Sequence, residues 1–278
     1  MTVGLDTPRT LAAASTGALA RASEIEAELA LPAPASRSVA LVSDRDTGQQ
    51  VSEVVDLDPA GSPTAISRFD PAGRLLSLVR LGFGPQTSQG LGSAQASQRA
   101  SSILASLGLA PASLAPAGLG LSGLGLAGLP AVTPRATGGW LVRWVRLVGA
   151  VPVPGDGISI QLAADGSFHA LVRTEHRLAQ APAVALDVAY VKLLAEARLD
   201  TWFAAGVRGD AAVGQPGLAW VAPNDTFGDA VPPDSVGVVR LAWLIRVTTS
   251  GSLAEQVAGI ELAFDAGDGT ALGGDLLE

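Results

Sequence analysis

The sequence predicts an α+β protein in which helices pack on curved antiparallel sheets. Apolar residues recur at steps of three and four in three separate stretches, which is typical of amphipathic helices. Between those stretches, short runs of alternating apolar and polar residues are bounded by Gly, Pro and Asp, which indicates half-buried antiparallel strands. The order of these patterns predicts a unit of one helix followed by an antiparallel meander, and it predicts that this unit is repeated.

The first unit is predicted to begin with a helix. Thr7 suits the N-cap, and Pro8 suits the first helical position. Pro32 limits the helix at its C-terminal end, because proline removes a backbone donor. The residues that would share the apolar face of this helix are Leu11, Ala14, Ala18, Ala22, Ile25 and Leu29.

A meander of four strands is predicted to follow this helix. The sequence Asp-Pro-Ala-Gly occurs twice, at 58–61 and 70–73, and places Asp, Pro and Gly where a type I turn favours them. These turns separate neighbouring strands, and Asp56 and Asp58 are therefore interpreted as turn-associated acids. The predicted strands are 38–43, 51–58, 65–69 and 75–83.

A second helix and a low-complexity connector are predicted next. Ser93 suits the N-cap of this helix, and Gly108 suits its stop. In the segment 111–136, Leu alternates with Gly and Ala, and each glycine costs a helix or strand about 0.5–1 kcal/mol relative to alanine. We expect an ordered loop over apolar surface, separating a domain at 1–110 from a second region at 137–278.

The second region is predicted to open with two strands. Residues 140–148 are rich in β-branched and aromatic side chains, which suit a pleated surface. The sequence Pro-Val-Pro-Gly-Asp-Gly at 152–157 predicts a turn, because proline fixes φ and glycine permits positive φ. The strand after that turn has Ile158, Ile160 and Leu162 on one face.

A third strand is predicted after the Asp-Gly sequence at 165–166, which is typical of a tight hairpin turn. A shift of one residue would move the whole apolar set to the opposite face, so we expect the pattern to determine the pairing. The residues predicted to face the core are Phe168, Ala170 and Val172, and those predicted to face outward are His169 and Arg173.

These turns and strands together resemble the PepSY domain and its relative, the propeptide module of fungalysin- and thermolysin-type metalloproteases. The matching residues are Gly149, Val151, Pro152, Val153, Gly155, Asp165 and Gly166. The stretches 243–247 and 261–269 are similar to the closing strands of a PepSY domain. The resemblance implies a non-catalytic module linked with peptidase inhibition and an extracytoplasmic location, although residues 1–20 lack the pattern of a signal peptide.

The C-terminal part is predicted to contain a helix at 186–202 and two paired strands at 236–249 and 257–264. The face of the helix predicted to be buried consists of Leu186, Ala189, Tyr190, Leu193, Leu194 and Ala197. The residues of the first strand predicted to face inward are Val239, Leu241, Trp243, Ile245 and Val247.

Composition excludes several chemistries. A net charge of −8 argues against nucleic acid as a partner, and the absence of cysteine excludes thiolate catalysis and disulfides. No apolar run is long enough to span a membrane. The two histidines, His169 and His176, are expected on opposite faces of an extended chain, so we expect no metal and no cofactor. Calcium at Asp265, Asp268 and Asp275 stays open as the less favoured alternative to a plain turn.

The remaining chemistry favours a binding or regulatory module for a peptide or protein, and the resemblance implies a peptidase as that partner. Tryptophan and arginine are enriched at binding hot spots, whereas a solvated sheet face paired with Glu175 and Glu261 is the simpler interpretation of the arginines. A structural or surface-assembly protein and a hydrolase that uses only carboxylates stay open as alternatives. The residues predicted to contact a partner are Trp140, Trp144, Arg146, Arg173, Arg240 and Arg246.

Overall fold

The computed structural model describes residues 7–44, 48–82, 90–109, 125–126, 129–136, 138–231, 235 and 237–277. Its sheets are mostly antiparallel and its helices few, so the α+β class is confirmed. The chain forms two compact units, the first from residues 1–146 and 156–175, the second from 147–155 and 176–278. The predicted boundaries at 110 and 136 and the predicted repetition of a helix-and-meander unit stay predictions. No described helix is long and apolar enough to cross a membrane.

The first unit combines two helices with a sheet of nine described strands. The helices are α1 (Thr7–Glu28) and α2 (Ser93–Ser106). The strands are β1 (Ser36–Ser43), β2 (Gln50–Leu57), β3 (Pro63–Phe69), β4 (Leu75–Arg80), β5 (Gly125–Leu126), β6 (Ala131–Pro134), β7 (Trp140–Val148), β8 (Val151–Leu162) and β9 (Phe168–Thr174). The strand order is β1-β2-β3-β4-β9-β8-β7-β5, with β6 also paired to β7.

Both helices bury apolar side chains in the core of the first unit. In α1, Ala18, Ala22 and Ile25 are buried as predicted, whereas the side chains of Leu11 and Ala14 lie outside the described residues. The second helix contributes Ala96, Ala100, Ile103 and Leu104 to the same core, where the largest fully buried sheet residues are Trp144, Phe69 and Leu78.

The N-cap of α2 is Gly92 and not the predicted Ser93, which is the first helical residue. The Gln95 side chain reaches back, and its Oε1 accepts a hydrogen bond from the Gly92 N–H at 3.0 Å. This contact satisfies the backbone donor at the helix start, so the helix begins without a capping hydroxyl.

The turn predicted at 152–157 is wrong, because β8 runs through those residues. The chain reverses instead at Gly149, whose φ of 62° lies in the left-handed region. Gly157, with φ of 132°, serves close approach of neighbouring strands: a Cβ there would lie 1.9 Å from the carbonyl oxygen of Trp144. Gly157 is required because the strands approach closely, not because the chain turns there. The sequence alone does not distinguish these two uses of glycine.

The hairpin at Asp165-Gly166 is confirmed, since the Gly166 N–H donates to the Ala163 carbonyl at 3.0 Å. On β8, the residues buried on one face as predicted are Ile158, Ile160 and Leu162.

The inward and outward assignments on β9 are partly wrong, because the strand contains a bulge. Leu162 pairs with Phe168, but Gln161 pairs with Ala170, so His169 is an extra residue. One extra residue moves every later side chain to the opposite face. As a result Arg173 is buried, at 8% exposed, and Val172 is 37% exposed.

The second unit is built around one long strand. The helices are α3 (Val188–Trp202), α4 (Ala205–Arg208) and α5 (Gly251–Ala254). The strands are β10 (Arg177–Leu178), β11 (Ala211–Val213), β12 (Gly217–Val221), β13 (Val238–Thr249), β14 (Gly259–Asp265) and β15 (Ala271–Leu277). Strand β13 pairs antiparallel with β11, β12 and β14 and parallel with β10, and β15 pairs with β14.

The pairing predicted for the last long strand is confirmed. Trp243 lies opposite Phe264, and Ile245 lies opposite Leu262. The inward residues Val239, Leu241, Ile245 and Val247 are buried, and Trp243 packs partly buried against them.

The buried face predicted for α3 is wrong. Asp187 caps this helix, because its Oδ1 accepts a hydrogen bond from the Tyr190 N–H at 2.7 Å. The buried stripe consists of Val191, Ala195 and Leu199, whereas Ala189, Tyr190, Leu193 and Ala197 are exposed. The helix carries two apolar stripes, so periodicity alone does not decide which stripe faces the sheet.

This orientation predicts unequal costs for two leucine truncations. Leu199→Ala should lower the free energy of unfolding by about 2–5 kcal/mol, because it opens a cavity beside buried neighbours. Leu193→Ala should lower the free energy of unfolding by less than about 0.5 kcal/mol, because Leu193 is 65% exposed. Urea denaturation of both variants measures the difference, and equal costs would contradict the observed face.

Candidate functional site

Three of the residues predicted to contact a partner lie on β7. Trp140, Trp144 and Arg146 share one face, as their spacing predicts, but that face turns toward the core. Trp144 is fully buried and Arg146 is 8% exposed. Trp140 is half-buried, and its Nε1 donates to the Leu91 carbonyl at 2.9 Å. The expectation that Arg146 faces solvent is therefore wrong.

A cluster of ion pairs explains how buried arginines are tolerated in the first unit. Arg146 Nη1 donates to Asp156 Oδ2 at 2.8 Å, and Asp156 is 1% exposed. Arg173 Nη2 donates to Glu175 Oε2 at 2.9 Å. Arg146 Nη2 lies 4.0 Å and Arg74 Nη1 lies 3.9 Å from the same Glu175 carboxylate. We call these five residues the arginine cluster, and its contacts are internal to the fold.

The other two predicted arginines belong to the second unit. The Arg246 side chain is 66% exposed, and its Nη2 lies 3.9 Å from Glu261 Oε2. Arg240 is half-buried. Arg246 pairs with Glu261 on a solvated face, as the simpler interpretation of the arginines expects, whereas Arg173 pairs with Glu175 but is buried.

The arginine cluster predicts a strong dependence of stability on Asp156. Asp156→Asn keeps the size of the side chain but leaves Arg146 buried beside a neutral partner, and breaking a buried pair costs about 3–5 kcal/mol. Glu24→Gln is a matched control, because Glu24 pairs with Arg21 at the surface, where such pairs contribute about 0–1 kcal/mol. Similar unfolding midpoints in urea for the two variants would contradict this assignment.

A second polar centre lies in a pocket of about 550 Å³ at one end of the sheet of the first unit. The end of α1 and the segment 31–35 form one wall, and the adjoining ends of β2, β3 and β4 form the other. The residues that line this pocket are Glu26, Leu31, Pro32, Ala33, Pro34, Ala35, Asp56, Leu57, Asp58, Pro59, Thr64, Ala65, Arg80 and Leu81. Most of them are apolar, so the few charged groups are set in an apolar surround.

Glu26 and Asp56, which we call the carboxylate pair, are held by one guanidinium. Arg37 Nε donates to Asp56 Oδ1 at 2.8 Å, and Arg37 Nη2 donates to Glu26 Oε2. Glu26 is 6% exposed and Asp56 is 4% exposed. Arg37 also donates from Nη1 to Ser23 Oγ at 2.6 Å. Three elements, α1, β1 and β2, therefore meet at this pair.

In the carboxylate pair, two negative charges face the single positive charge of Arg37. Burial and the neighbouring Asp56 raise the pKa of Glu26 to about 7, against the opposing effect of Arg37. Glu26 Oε1 is buried and has no hydrogen-bond partner in the structure. At neutral pH a proton thus supplies part of the missing positive charge.

Sequence reasoning missed Glu26, although a signal was present. Glu26 follows Ile25 within the apolar stripe of α1, and a carboxylate in such a stripe is buried only when something compensates it. The sequence interpretation of Asp58 as a turn residue agrees with its contacts, since its Oδ1 accepts from the Ala60 and Ser62 N–H groups at 2.8 Å each.

The acidic turn considered for calcium makes local backbone contacts. Asp265 Oδ1 accepts from the Gly267 N–H, and Asp268 Oδ1 accepts from the Thr270 N–H, each at 2.8 Å. Within the described ranges, no group of three or more His, Asp or Glu side chains is assembled for a metal ion.

Comparison with known proteins finds limited structural similarity at low sequence identity. No family model matches the sequence, and no curated protein matches it. One solved structure that matches is the Bacillus megaterium YpeB C-terminal domain, with a TM-score of 0.48 and 13% identity over 93% of this chain and 96% of that chain. A likeness at this level assigns neither a family nor a function.

The raised pKa of Glu26 predicts how stability changes with pH. The folded state holds the Glu26 proton up to about pH 7, whereas the unfolded chain releases it near 4.5. The contribution of this group to stability is therefore greatest below the unfolded pKa and is lost as pH rises from about 4.5 to about 7. Glu26→Gln should flatten the stability profile in that window.

Urea denaturation at several pH values between 5 and 8 tests this prediction. Glu53→Gln is the matched control, because Glu53 lies on β2 and pairs with Arg68 outside the pocket. The control should keep the pH dependence of the original protein. A Glu26→Gln variant with an unchanged pH dependence would contradict the assignment.

Proposed function

We propose that this protein is a non-catalytic binding module that takes an extended segment of a partner polypeptide. The observation that supports the proposal is the edge strand β1 of the first unit. This strand is the last in the sheet order, and among the described strands it pairs with β2 only. Addition of a strand to such an edge is a common mode of peptide recognition.

Strand β1 lacks the usual protection of a sheet edge. Natural edges carry prolines, outward lysines or short strands that prevent pairing with another chain. The eight residues of β1, Ser-Arg-Ser-Val-Ala-Leu-Val-Ser, include no proline and no lysine. Their one charged side chain, Arg37, is directed to Glu26 and Asp56. The edge is therefore suited to pairing rather than protected from it.

The register identifies the backbone groups that would take the partner. The Asp44 N–H donates to the Gln49 carbonyl at 2.8 Å, and hydrogen-bonded pairs in an antiparallel ladder alternate with non-bonded ones. The alternation directs the amides of Val39 and Leu41 away from β2. The Leu41 side chain is 42% exposed and adds an apolar contact at the same place.

The sequence resemblance to PepSY domains supports the same class of function, since it implies a regulatory module without its own catalysis. Peptidase inhibition, which the resemblance also implies, is the narrower form of this proposal. Among the predicted contact residues, Trp140, Arg240 and Arg246 keep some exposed surface and stay proposed contacts. Trp144, Arg146 and Arg173 are buried and would act only through the fold.

The alternative of a hydrolase that uses only carboxylates finds less support. Glycoside hydrolysis needs an acid and a second carboxylate set apart on two sides of the substrate bond. Glu26 and Asp56 are instead bonded to the same guanidinium of Arg37. Both carboxylates are therefore engaged by one internal cation, whereas the reaction needs them on two sides of the substrate bond.

A peptide library displayed on phage and selected on the immobilised protein tests the proposed function. Selected peptides should slow hydrogen exchange of the Val39 and Leu41 amides, because those donors gain partners. Leu41→Pro should weaken peptide binding at least tenfold, since proline removes one outward donor while edge positions tolerate it.

Tyr190→Ser is the matched control, because Tyr190 is exposed on α3 in the second unit and should not affect the edge. Selection of no peptide above background, or equal binding by the Leu41→Pro variant, would overturn the proposal. If the protein self-associates as its concentration rises and then no longer binds peptide, the result would favour the surface-assembly alternative instead.

A further inference from the structure

The pocket beside α1 combines a cavity, a deficit of positive charge and an unsatisfied acceptor. Two buried carboxylates share one guanidinium, and Glu26 Oε1 has no hydrogen-bond partner. The other charged residues that line the pocket, Asp58 and Arg80, offset each other. The pocket therefore carries one net negative charge when Glu26 is ionised.

We infer that this pocket binds a primary ammonium group on an aliphatic stem, as found in a lysine side chain or a free alkylamine. The inference deepens the proposed function and rests on it only for the polypeptide as the source of the amine. The ammonium would donate hydrogen bonds to Glu26 and Asp56, opposite the side on which Arg37 binds them.

Charge balance is the first argument for a monovalent cation. A buried carboxylate is tolerated when a positive charge or a donor compensates it. Arg37 supplies one such charge for the carboxylate pair, and the second has to come from a proton or from a ligand. A single ammonium supplies that second charge.

The walls of the pocket are the second argument, because they fit an aliphatic stem. Leu31, Leu57 and Leu81 line the pocket together with prolines and alanines. Lysine side chains bury their methylene stem against apolar surface while the ammonium reaches a polar group. A neutral alcohol of the same length would find the same walls but would not balance the charge.

Competing cations fit less well. Calcium takes six to eight oxygen ligands, and among the described residues no group of three or more His, Asp or Glu side chains is assembled to hold a metal ion. Arg37 already bonds to both carboxylates, so a divalent ion would sit beside a fixed positive charge. A second guanidinium would need the bidentate geometry that Arg37 occupies.

Ammonium binding is coupled to release of the Glu26 proton. The groups that face Glu26 are Arg37 from β1 and Asp56 from β2, and Asp58 and Arg80 also line the pocket. When the ammonium enters, the protonated Glu26 loses its proton to water, and the carboxylate accepts from the ammonium. With a pKa of about 7, the affinity should rise about tenfold between pH 6 and pH 8.

The experiment is a calorimetric titration of the whole protein with four probes at pH 6 and pH 8. The probes are n-butylamine, n-butanol, the peptide acetyl-Ala-Lys-Ala-amide and the same peptide with acetyl-lysine. We expect saturable binding of the two probes that carry an ammonium, and tighter binding at pH 8. The two neutral probes should bind at least tenfold more weakly.

Three variants separate the pocket from the rest of the surface. Glu26→Gln should weaken ammonium binding at least tenfold and remove its pH dependence. Ala33→Phe places a large ring into the pocket from an exposed position, so it should block binding without disturbing the core. Glu53→Gln, which lies outside the pocket on β2, should bind like the original protein.

The outcomes distinguish this inference from the proposed function. Binding of n-butylamine without binding of the lysine peptide supports the ammonium site. It would then assign the site to a free amine and not to a lysine side chain of a polypeptide. Binding of the lysine peptide with loss in Glu26→Gln supports both. Equal binding of alcohol and amine, unchanged binding in Glu26→Gln, or no binding at all would overturn the inference.

Discussion

The first unit depends on the ionic contact between Arg37 and the two buried carboxylates. Arg37 belongs to the edge strand β1, Glu26 to α1 and Asp56 to β2, so one guanidinium joins a helix to the first hairpin of the sheet. The contact ties the edge strand to the helix, and its two carboxylates line the pocket. The same residues thus determine the position of the edge, the shape of the pocket and its charge.

The arginine cluster and the carboxylate pair differ in the ratio of positive to negative charges. In the arginine cluster, Arg146 lies against Asp156 and Arg173 against Glu175, and Arg74 has a carboxylate of its own in Asp70, so each guanidinium has one acid. At the carboxylate pair, one guanidinium serves two acids, and the imbalance raises the pKa of Glu26 to about 7. Buried acids that each have an arginine partner are compensated within the fold. A buried acid without its own partner is left uncompensated, and a cationic ligand can supply the missing positive charge.

The edge strand and the pocket, the two parts of the proposed recognition surface, both lie in the first unit. Segment 31–35 lines the pocket and leads directly into β1, whose outward amides follow within a few residues. Backbone pairing contributes affinity for any extended chain, and a side-chain pocket next to it contributes selectivity. In the proposed function, these two parts would act together on one extended segment.

The sequence by itself determined the secondary structure where one pattern dominates: α1, the first meander, the Asp165-Gly166 hairpin and the pairing of β13 with β14. Only the tertiary structure decided the position of the His169 bulge, which buries Arg173, and the stripe of α3 that faces the sheet. It also decided the site, because Glu26, Arg37 and Asp56 are separated along the chain and meet only when helix and hairpin pack together. Local periodicity records which side chains share a face, but the neighbour on that face is set by packing between distant segments.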